Sequence, residues 1–374
     1  MEPTRAVPPS RLPAPVTPLV GRVREQQRVA GALDAGRLVT LTGPGGVGKT
    51  RLAMAVAAQA QQRFGGRAWW VELAPVAKGD MVADVIADAL GARDAPDADL
   101  VDSVAGRIGD LPGLLVLDNC EHLTTACREI AGRLLAACPR LHILATSREP
   151  LGADGESRWP LPPLTVPQTD APKAPELAGS EAVQFFVDRA RAVLPGFEIT
   201  DDNAELIGQL CRRLDGLPLA IELAAAKLRV LAVSQVLTAL DDVFKLLVGG
   251  SPAAPARHQT LRAALDWSYD MLQPAEQAAF RRLSAFAGPF GLAAAEHVAT
   301  LGGTQPADVL DLLARLVDRS LLGVDHTAAE AATGCSRPCA GTAGNAWPRP
   351  VSSQPRARRC CRCTWIWPSE WRPS

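Results

Sequence analysis

The segment GPGGVGKT, residues 43–50, constrains this chain more than any other stretch of it. Its spacing is that of a phosphate-binding loop, G-x-x-x-x-G-K-[ST], in which backbone N–H groups surround phosphate oxygens. An ordinary glycine-rich turn is the alternative, but such a turn requires neither a strand before it nor a helix after it. RLVTLT (37–42) fits a buried strand and RLAMAVAAQAQQRF (51–64) fits a helix. The context therefore favours a phosphate-binding loop.

The residue types of the loop have separate predicted roles. Lys49 is expected to act catalytically by reaching the β- and γ-phosphates, and the Thr50 hydroxyl is expected to ligate Mg²⁺. The following helix directs its positive end at the same charge. The predicted nucleotide-binding set of this segment is Gly43, Pro44, Gly45, Gly46, Val47, Gly48, Lys49, Thr50 and Arg51.

Asp118 is the predicted second ligand of the cation. It ends the apolar run in LLVLDNCEHL (114–123), so its carboxylate is placed at the carboxyl end of a buried strand, where open α/β sheets bind ligands. We expect it to contact Mg²⁺ through water. Without the loop upstream, an aspartate that ends a strand and starts a turn would be the simpler interpretation.

The residue that activates water is left open by the sequence. Many P-loop ATPases carry a glutamate directly after this aspartate, whereas here Asn119 follows it. Glu121 is a candidate base, but it also fits a residue that favours the N-terminus of the next helix. Slow hydrolysis or a nucleotide switch is therefore favoured over a fast motor.

The rest of the chain divides into an α/β part and a helical part. RAWWVEL (67–73), GLLVLD (113–118) and LHILATS (141–147) repeat the strand pattern, and helix-length segments separate them. This alternation predicts a parallel, three-layer α/β sheet, which WPLPPL (159–164) either closes or leaves as a linker. From about residue 165 the patterns are helical, with a proline interruption at Pro218.

Composition excludes several classes of protein. A net charge of −1 gives no reason to expect nucleic acid or an anionic membrane as partner. The sequence has neither an 18-residue apolar run nor an apolar signal-peptide stretch, so we expect a cytoplasmic protein with no membrane partner. We expect reduced, buried thiols at Cys120, Cys127, Cys138 and Cys211.

Five motifs in order resemble those of the NB-ARC-type STAND ATPases. They are LVGR, GPGGVGKT, LLVLDNCEHL, ILATSREPL and GLPLAIELAA, within residues 12–326. The sequence is most similar to the ATPase core of bacterial AfsR-like and LuxR-associated transcription regulators. The resemblance implies an ATP/ADP-dependent switch in which ADP holds the protein closed and ATP permits self-association.

The resemblance also implies roles for individual residues. Val20 and Arg22 would lie beside the adenine, and Pro218 would press on the base or sugar from a helical lid. Arg148 would be a catalytic sensor of the γ-phosphate. The simpler alternatives are a surface arginine at a strand end for Arg148 and a helix-starting proline for Pro218, the latter compatible with the lid role.

The expected domain organisation follows from the patterns and the resemblance together. We expect a disordered leader (1–18), a P-loop NTPase domain (19–164), a helical lid domain (165–250), a winged-helix-like domain (251–326) and an unstructured tail (327–374). In the family the winged helix packs against the nucleotide. DNA is therefore expected as a partner only indirectly, through an effector domain that this sequence lacks.

Two other functions compete with a regulatory switch. A DNA-binding regulator would use the winged helix directly, but its arginines are spread among acids: Arg257, Arg262, Arg281, Arg282, Arg315 and Arg319. An AAA+-like motor would need an acid beside Asp118 and a partner's arginine, and the sequence identifies neither.

The last forty-four residues, 331–374, break with the preceding composition. They hold five cysteines, four tryptophans and seven arginines but no leucine. A zinc site would need paired C-x-x-C spacing and nearby histidines, which this segment lacks. A basic nucleic-acid tail would fit the charge, and its tryptophans could stack on bases. Relatives continue with a helix similar to LLETVRRYGRERLAEAGE. Codons permitted for GCSRPCAGTAGNAWPRPVS, shifted by two nucleotides, encode VLETLRRYGRERLAEAGE, which predicts a frameshift between about Val324 and Gly334.

Overall fold

The computed structural model describes residues 12–92, 99–168, 174–240, 269, 272–286, 290–300, 305–319, 321–325 and 332–334. The chain divides into two compact units, Met1–Pro162 and Pro163–Ser374. The elements below are numbered within the described ranges.

The first unit alternates strands with helices, as the sequence predicts. Short 3₁₀ turns at Gly79–Met81 and Cys120–His122 follow β2 and β3. The elements are α1 (Val23–Ala35), β1 (Leu38–Thr42), α2 (Lys49–Ala60), β2 (Ala68–Glu72), α3 (Val82–Leu90), α4 (Leu100–Ile108), β3 (Gly113–Asp118), α5 (Thr124–Ala137), β4 (Leu141–Thr146) and β5 (Glu156–Pro160).

The five strands form one parallel sheet in the order β2-β3-β4-β1-β5. The predicted parallel α/β fold is therefore confirmed, and β5 closes the edge of the sheet beside β1. The strand β4 lies between β1, which leads into the phosphate loop, and β3, which ends at Asp118. Because parallel strands end at the same edge, the carboxyl ends of β1, β4 and β3 are neighbours.

Helices cover both faces of the sheet, and each face is apolar. Every residue of β1 and β3 is buried, which is typical of strands covered on both sides. One face packs against α3, α4 and α5 through a cluster that includes Trp69, Leu115 and Ile143. Trp69 is fully buried, and burying so large a ring stabilises the fold by about 2–3 kcal/mol.

The second unit is mainly helical within its described residues. Pro218 is the first residue of α8, where its missing N–H costs no helical hydrogen bond. The helices are α6 (Glu181–Val193), α7 (Asp201–Arg213), α8 (Pro218–Ala226), α9 (Val233–Ala239), α10 (Pro274–Leu283), α11 (Leu292–Thr300) and α12 (Pro306–Asp318).

The last three helices share a separate apolar core with residues such as Phe290 and Leu316. Glu276, in the first of these helices, is buried, and its carboxylate pairs with Arg315 at 3.2 Å and Arg319 at 3.7 Å. Two short strands follow, β6 (Gly323–Asp325) and β7 (Ala332–Gly334), which pair antiparallel. The resemblance of this part to a winged helix stays a prediction.

Three of the sequence predictions have different outcomes in the structure. The tail prediction needs a correction, because β7 lies within 327–374 and its backbone pairs with β6; residues 335–374 lie outside the described residues. The predicted boundary at residue 250 also lies outside them. The four predicted buried thiols are confirmed as free and buried, and burial raises the pKa of Cys211 to about 12.

Within the described ranges, no helix is both long enough and apolar enough to cross a membrane.

Gly113 should tolerate no larger side chain, because a Cβ there would lie 2.8 Å from Cζ3 of the buried Trp69 ring. We expect Gly113→Ala to lower the free energy of unfolding by about 1–3 kcal/mol. Gly132 in α5 is the matched control, since a Cβ there meets nothing within 4 Å. Gly132→Ala should raise stability by up to about 1 kcal/mol. Denaturant unfolding of both variants checks the pair, and equal effects would contradict the packing described here.

Candidate nucleotide site

The loop of residues 43–50 connects β1 to α2 and requires glycine at defined positions. Gly43 has φ +147°, and a Cβ on it would lie 3.1 Å from the Leu161 carbonyl oxygen and 3.2 Å from Cγ1 of Val47. Gly48 has φ +100° and directly precedes the first residue of α2. Gly46 also has positive φ, at +80°, whereas Gly45 does not. A loop of this curvature exposes backbone N–H groups to an anion.

The Lys49 ammonium lies over the loop itself. Its Nζ donates to the carbonyl oxygens of Gly43 at 2.7 Å and Pro44 at 3.1 Å. These bonds hold the positive charge beside the loop's N–H groups. Charge and N–H donors together suit the phosphates of a nucleotide.

The two predicted Mg²⁺ ligands are brought together by the fold. Thr50 Oγ1 donates to Asp118 Oδ1 at 2.8 Å, although 68 residues separate them in sequence. A hydroxyl that donates its proton to a carboxylate keeps its lone pairs for a cation, so this pair of oxygen donors suits Mg²⁺. When bound, Mg²⁺ would neutralise phosphate charge.

No group of three or more His, Cys, Asp or Glu side chains in the described part of the chain is arranged to hold a metal.

Thr146, which sequence reasoning missed, completes this arrangement. It is the last residue of β4, and its Oγ1 donates to the same Asp118 Oδ1 at 2.6 Å. The Oγ1 of Thr146 also accepts a hydrogen bond from the backbone N–H of Asn119 at 2.9 Å. The available signal was a threonine at the end of a predicted strand. Its significance depends on β4 lying next to β3, which the sequence does not reveal.

Asp118 is a carboxylate in an apolar setting, with 5% of its surface exposed. Burial raises the pKa of this carboxyl above its usual range. The hydroxyls of Thr146 and Thr50 act in the opposite direction, and the charges of Glu121 and Glu72 raise the pKa further. The site is thus electrostatically prepared for a cation.

Glu121 and Arg148 form a buried ion pair close to Asp118. Arg148 Nε lies 3.3 Å from Glu121 Oε1, and each residue is 5% exposed. Arg148 is therefore not a surface arginine in this structure. Within the described residues, the other carboxylate oxygen of Glu121 accepts no hydrogen bond. The unpaired oxygen is the atom of this pair that would accept a proton from a water admitted to the site.

The LVGR segment contacts the loop through its arginine. Arg22 adopts φ +64° directly before α1, and its Nη2 donates to the Val47 carbonyl at 3.2 Å. Val20 is half-buried two residues earlier. Arg51 Nη2 donates to the Thr17 hydroxyl at 2.9 Å and to the Pro18 carbonyl at 3.1 Å.

The contacts of Arg51 hold the last residues of the predicted leader (1–18) against α2. Residues 1–11 lie outside the described residues. Pro218 belongs to the second unit, so its expected contact with a base or sugar stays a prediction.

The sequence profile of the AAA ATPase domain matches residues 18–221 of this chain. A Mycobacterium tuberculosis protein named as an HTH-type transcriptional regulator, Rv0890c, is 48% identical over 293 residues, which are 78% of this chain and 32% of that protein. The uncharacterized protein Rv0894 of the same species is 41% identical over 312 residues, which are 83% of this chain and 76% of that protein.

A third relative is the regulatory protein AfsR of Streptomyces coelicolor, 30% identical over 343 residues, which are 85% of this chain and 31% of AfsR. The chain thus spans about a third of the length of Rv0890c and of AfsR. Among solved structures, the Walker-type ATPase PABY2304 of Pyrococcus abyssi superposes with a TM-score of 0.58 at 14% identity, covering 87% of this chain and 97% of that one. This similarity shows the fold.

Asp118→Asn should weaken binding of the cation without weakening the fold. The amide oxygen still accepts both threonine hydroxyls, so the metal-free protein should be at least as stable as wild type at pH 8. Because the pKa of the carboxyl is raised, the stabilising effect of its proton is lost as pH rises through that pKa, which favours the variant at high pH. Mg²⁺-dependent nucleotide affinity should fall about 10–100-fold. Denaturant unfolding at pH 5 and pH 8 and calorimetric titration check both parts, and undiminished Mg²⁺ dependence would remove Asp118 from the site.

Proposed function

Because this chain belongs to the AAA ATPase domain family, we propose that it binds ATP and ADP with Mg²⁺ at residues 43–50 and acts as a regulatory switch of the NB-ARC-type STAND kind. The observation that carries the proposal is the 2.8 Å bond between Thr50 and Asp118, beside a loop whose lysine is already held in place. A chance glycine turn explains neither the long-range hydroxyl–carboxylate pair nor the helix that starts at Lys49.

Different residues of the chain are proposed to bind the phosphates, the cation and the adenine. Loop N–H groups and Lys49 hold the phosphates, while Thr50 and Asp118 orient the oxygen ligands of the cation. Arg22 donates to the Val47 carbonyl of the loop, and this contact supports the proposed position of Val20 and Arg22 beside the adenine. Pro218, from the second unit, is proposed to complete the pocket over the base or sugar.

Hydrolysis is proposed to be slow, with Glu121 as the base and Arg148 as the γ-phosphate sensor. The buried pair supports a shared role, since one oxygen of Glu121 orients against Arg148 and the other accepts no hydrogen bond within the described residues. Arg148 must stay near Glu121 for that carboxylate to remain compensated. A base held in this ion pair favours slow ATP hydrolysis, as in a regulatory switch, over rapid turnover.

The regulatory part of the proposal is supported by the names of two relatives, one an HTH-type transcriptional regulator and the other AfsR. ADP would hold the helical lid and the winged-helix-like part closed, and ATP would release them for self-association. DNA would be reached indirectly, through an effector domain. The cytoplasmic location expected from the sequence belongs to the same proposal.

Direct DNA binding by the last helical part is the second candidate, and the structure gives it little support. Glu276 engages two of the arginines available for phosphate contacts, Arg315 and Arg319. Arg281 donates to the Tyr269 hydroxyl. Because these guanidinium groups already bond to protein side chains, they make a weak phosphate-binding surface. An AAA+-like motor is disfavoured because Asn119, not an acid, follows Asp118.

Lys49→Ala should abolish nucleotide binding and leave the first unit folded, because the ammonium donates to the loop carbonyls of Gly43 and Pro44 and is not part of the apolar core. Light scattering of wild type in ATP should show a larger mass than in ADP, and the variant should show one mass in both. Lys78→Ala, at an exposed lysine, is the matched control and should behave as wild type. Retained ATP binding in Lys49→Ala would overturn the proposal.

The tail is proposed to result from a frameshift rather than from selection for a metal or nucleic-acid site. Support comes from the absence of leucine in 331–374 and from codon choices permitted for residues 334–352 that would encode a family-like helix in the shifted frame. A shift at this point would leave residues 43–50 and Asp118 intact.

Resequencing the locus tests the frameshift. We expect the DNA between the codons for Val324 and Gly334 to show a shift, with VLETLRRYGRERLAEAGE encoded in the alternative frame. A DNA sequence that encodes this helix in neither shifted frame would end the proposal.

A further inference from the structure

The strand β4 ends between the two halves of the nucleotide site. It pairs with β1 on one side, where Leu41 is opposite Thr146, and with β3 on the other, where Leu117 is opposite Ala145. Its last side chain is therefore within reach of both the phosphate loop's strand and Asp118. That side chain is Thr146, and only 1% of it is exposed.

Thr146 makes two bonds that converge on the end of β3. Its hydroxyl donates to Asp118 Oδ1 at 2.6 Å and accepts the Asn119 N–H at 2.9 Å. The Asn119 bond supports a residue with φ +69°, an uncommon conformation outside glycine. One hydroxyl thus fixes both the carboxylate and the backbone turn that follows it.

We propose that Thr146 is a positioning residue that aims the Asp118 carboxylate at the cation-binding hydroxyl of Thr50. Asp118 Oδ1 accepts two hydrogen bonds, one from each threonine hydroxyl, and together they fix the orientation of the carboxylate. If the Thr146 donor is removed, the carboxylate keeps one anchor and can rotate away from Thr50. Thr146 contacts no substrate atom in this role, and its effect passes through Asp118.

A purely structural role would not distinguish this hydroxyl from others buried in the sheet. Thr40, on the neighbouring strand β1, is fully buried, and its hydroxyl has no hydrogen-bond partner within the described residues. Thr→Val is nearly isosteric at both positions and removes only the hydroxyl. Thr40→Val is therefore a matched control for loss of a buried hydroxyl in the same sheet.

The test is the affinity for ATP in Mg²⁺ and in EDTA, measured by calorimetric titration of the full chain. This inference rests on the proposed nucleotide site. In wild type and Thr40→Val, we expect Mg²⁺ to strengthen ATP binding to the same extent. In Thr146→Val, the gain from Mg²⁺ should fall about ten-fold, while the affinity in EDTA stays unchanged, as expected for loss of an outer-shell ligand partner.

A second pair of variants covers the case in which Thr146→Val fails to fold. Thr146→Ser and Thr146→Ala both lose the methyl group, but only alanine loses the hydroxyl. Serine should keep the Mg²⁺ response and alanine should lose it.

Two results overturn the inference alone, namely a full Mg²⁺ response in the hydroxyl-free variants and an equal loss of affinity in EDTA. If wild type binds ATP equally in Mg²⁺ and in EDTA, the inference and the proposed cation site both fail. If wild type does not bind ATP at all, the proposed function itself fails.

Discussion

A single buried carboxylate oxygen, Oδ1 of Asp118, joins the end of β3 to the end of β4 and to the start of α2. It accepts hydrogen bonds from the hydroxyls of Thr50, at the start of α2, and Thr146, at the end of β4. Burial disfavours the charged form of Asp118 and therefore raises the pKa of its carboxyl. The two hydroxyls offset part of this effect. Because these donors come from distant segments, the sheet order must form before the site exists.

The same constraint links the fold to the proposed switch. Lys49 and the loop lie on one side of Asp118, and the Glu121–Arg148 pair lies in the segments that follow β3 and β4. Hydrogen bonds join Thr50, Asp118 and Thr146, so a change at the phosphates would reach the ends of β3 and β4 through these side chains. Coupling of this kind suits the proposed switch.

Much of the first unit could be predicted from the sequence, because its signals are local. Glycine spacing located the phosphate loop, and apolar runs located β1, β3 and β4 to within about a residue of their observed bounds. Thr146 was missed because its role depends on β4 lying between β1 and β3, a non-local fact. The ion pair of Glu121 with Arg148 was missed for the same reason, although each residue was selected alone.

The adenine nucleotide released from purified, denatured protein tests the proposed site most directly. We predict that protein isolated with Mg²⁺ present carries ADP, or ATP in part, at nearly one molecule per chain. Chromatography of the released material identifies the base and counts its phosphates. Protein that releases no adenine nucleotide, and that takes up none when ADP and Mg²⁺ are added, would contradict the assignment of residues 43–50, Asp118 and Thr146 to a nucleotide site.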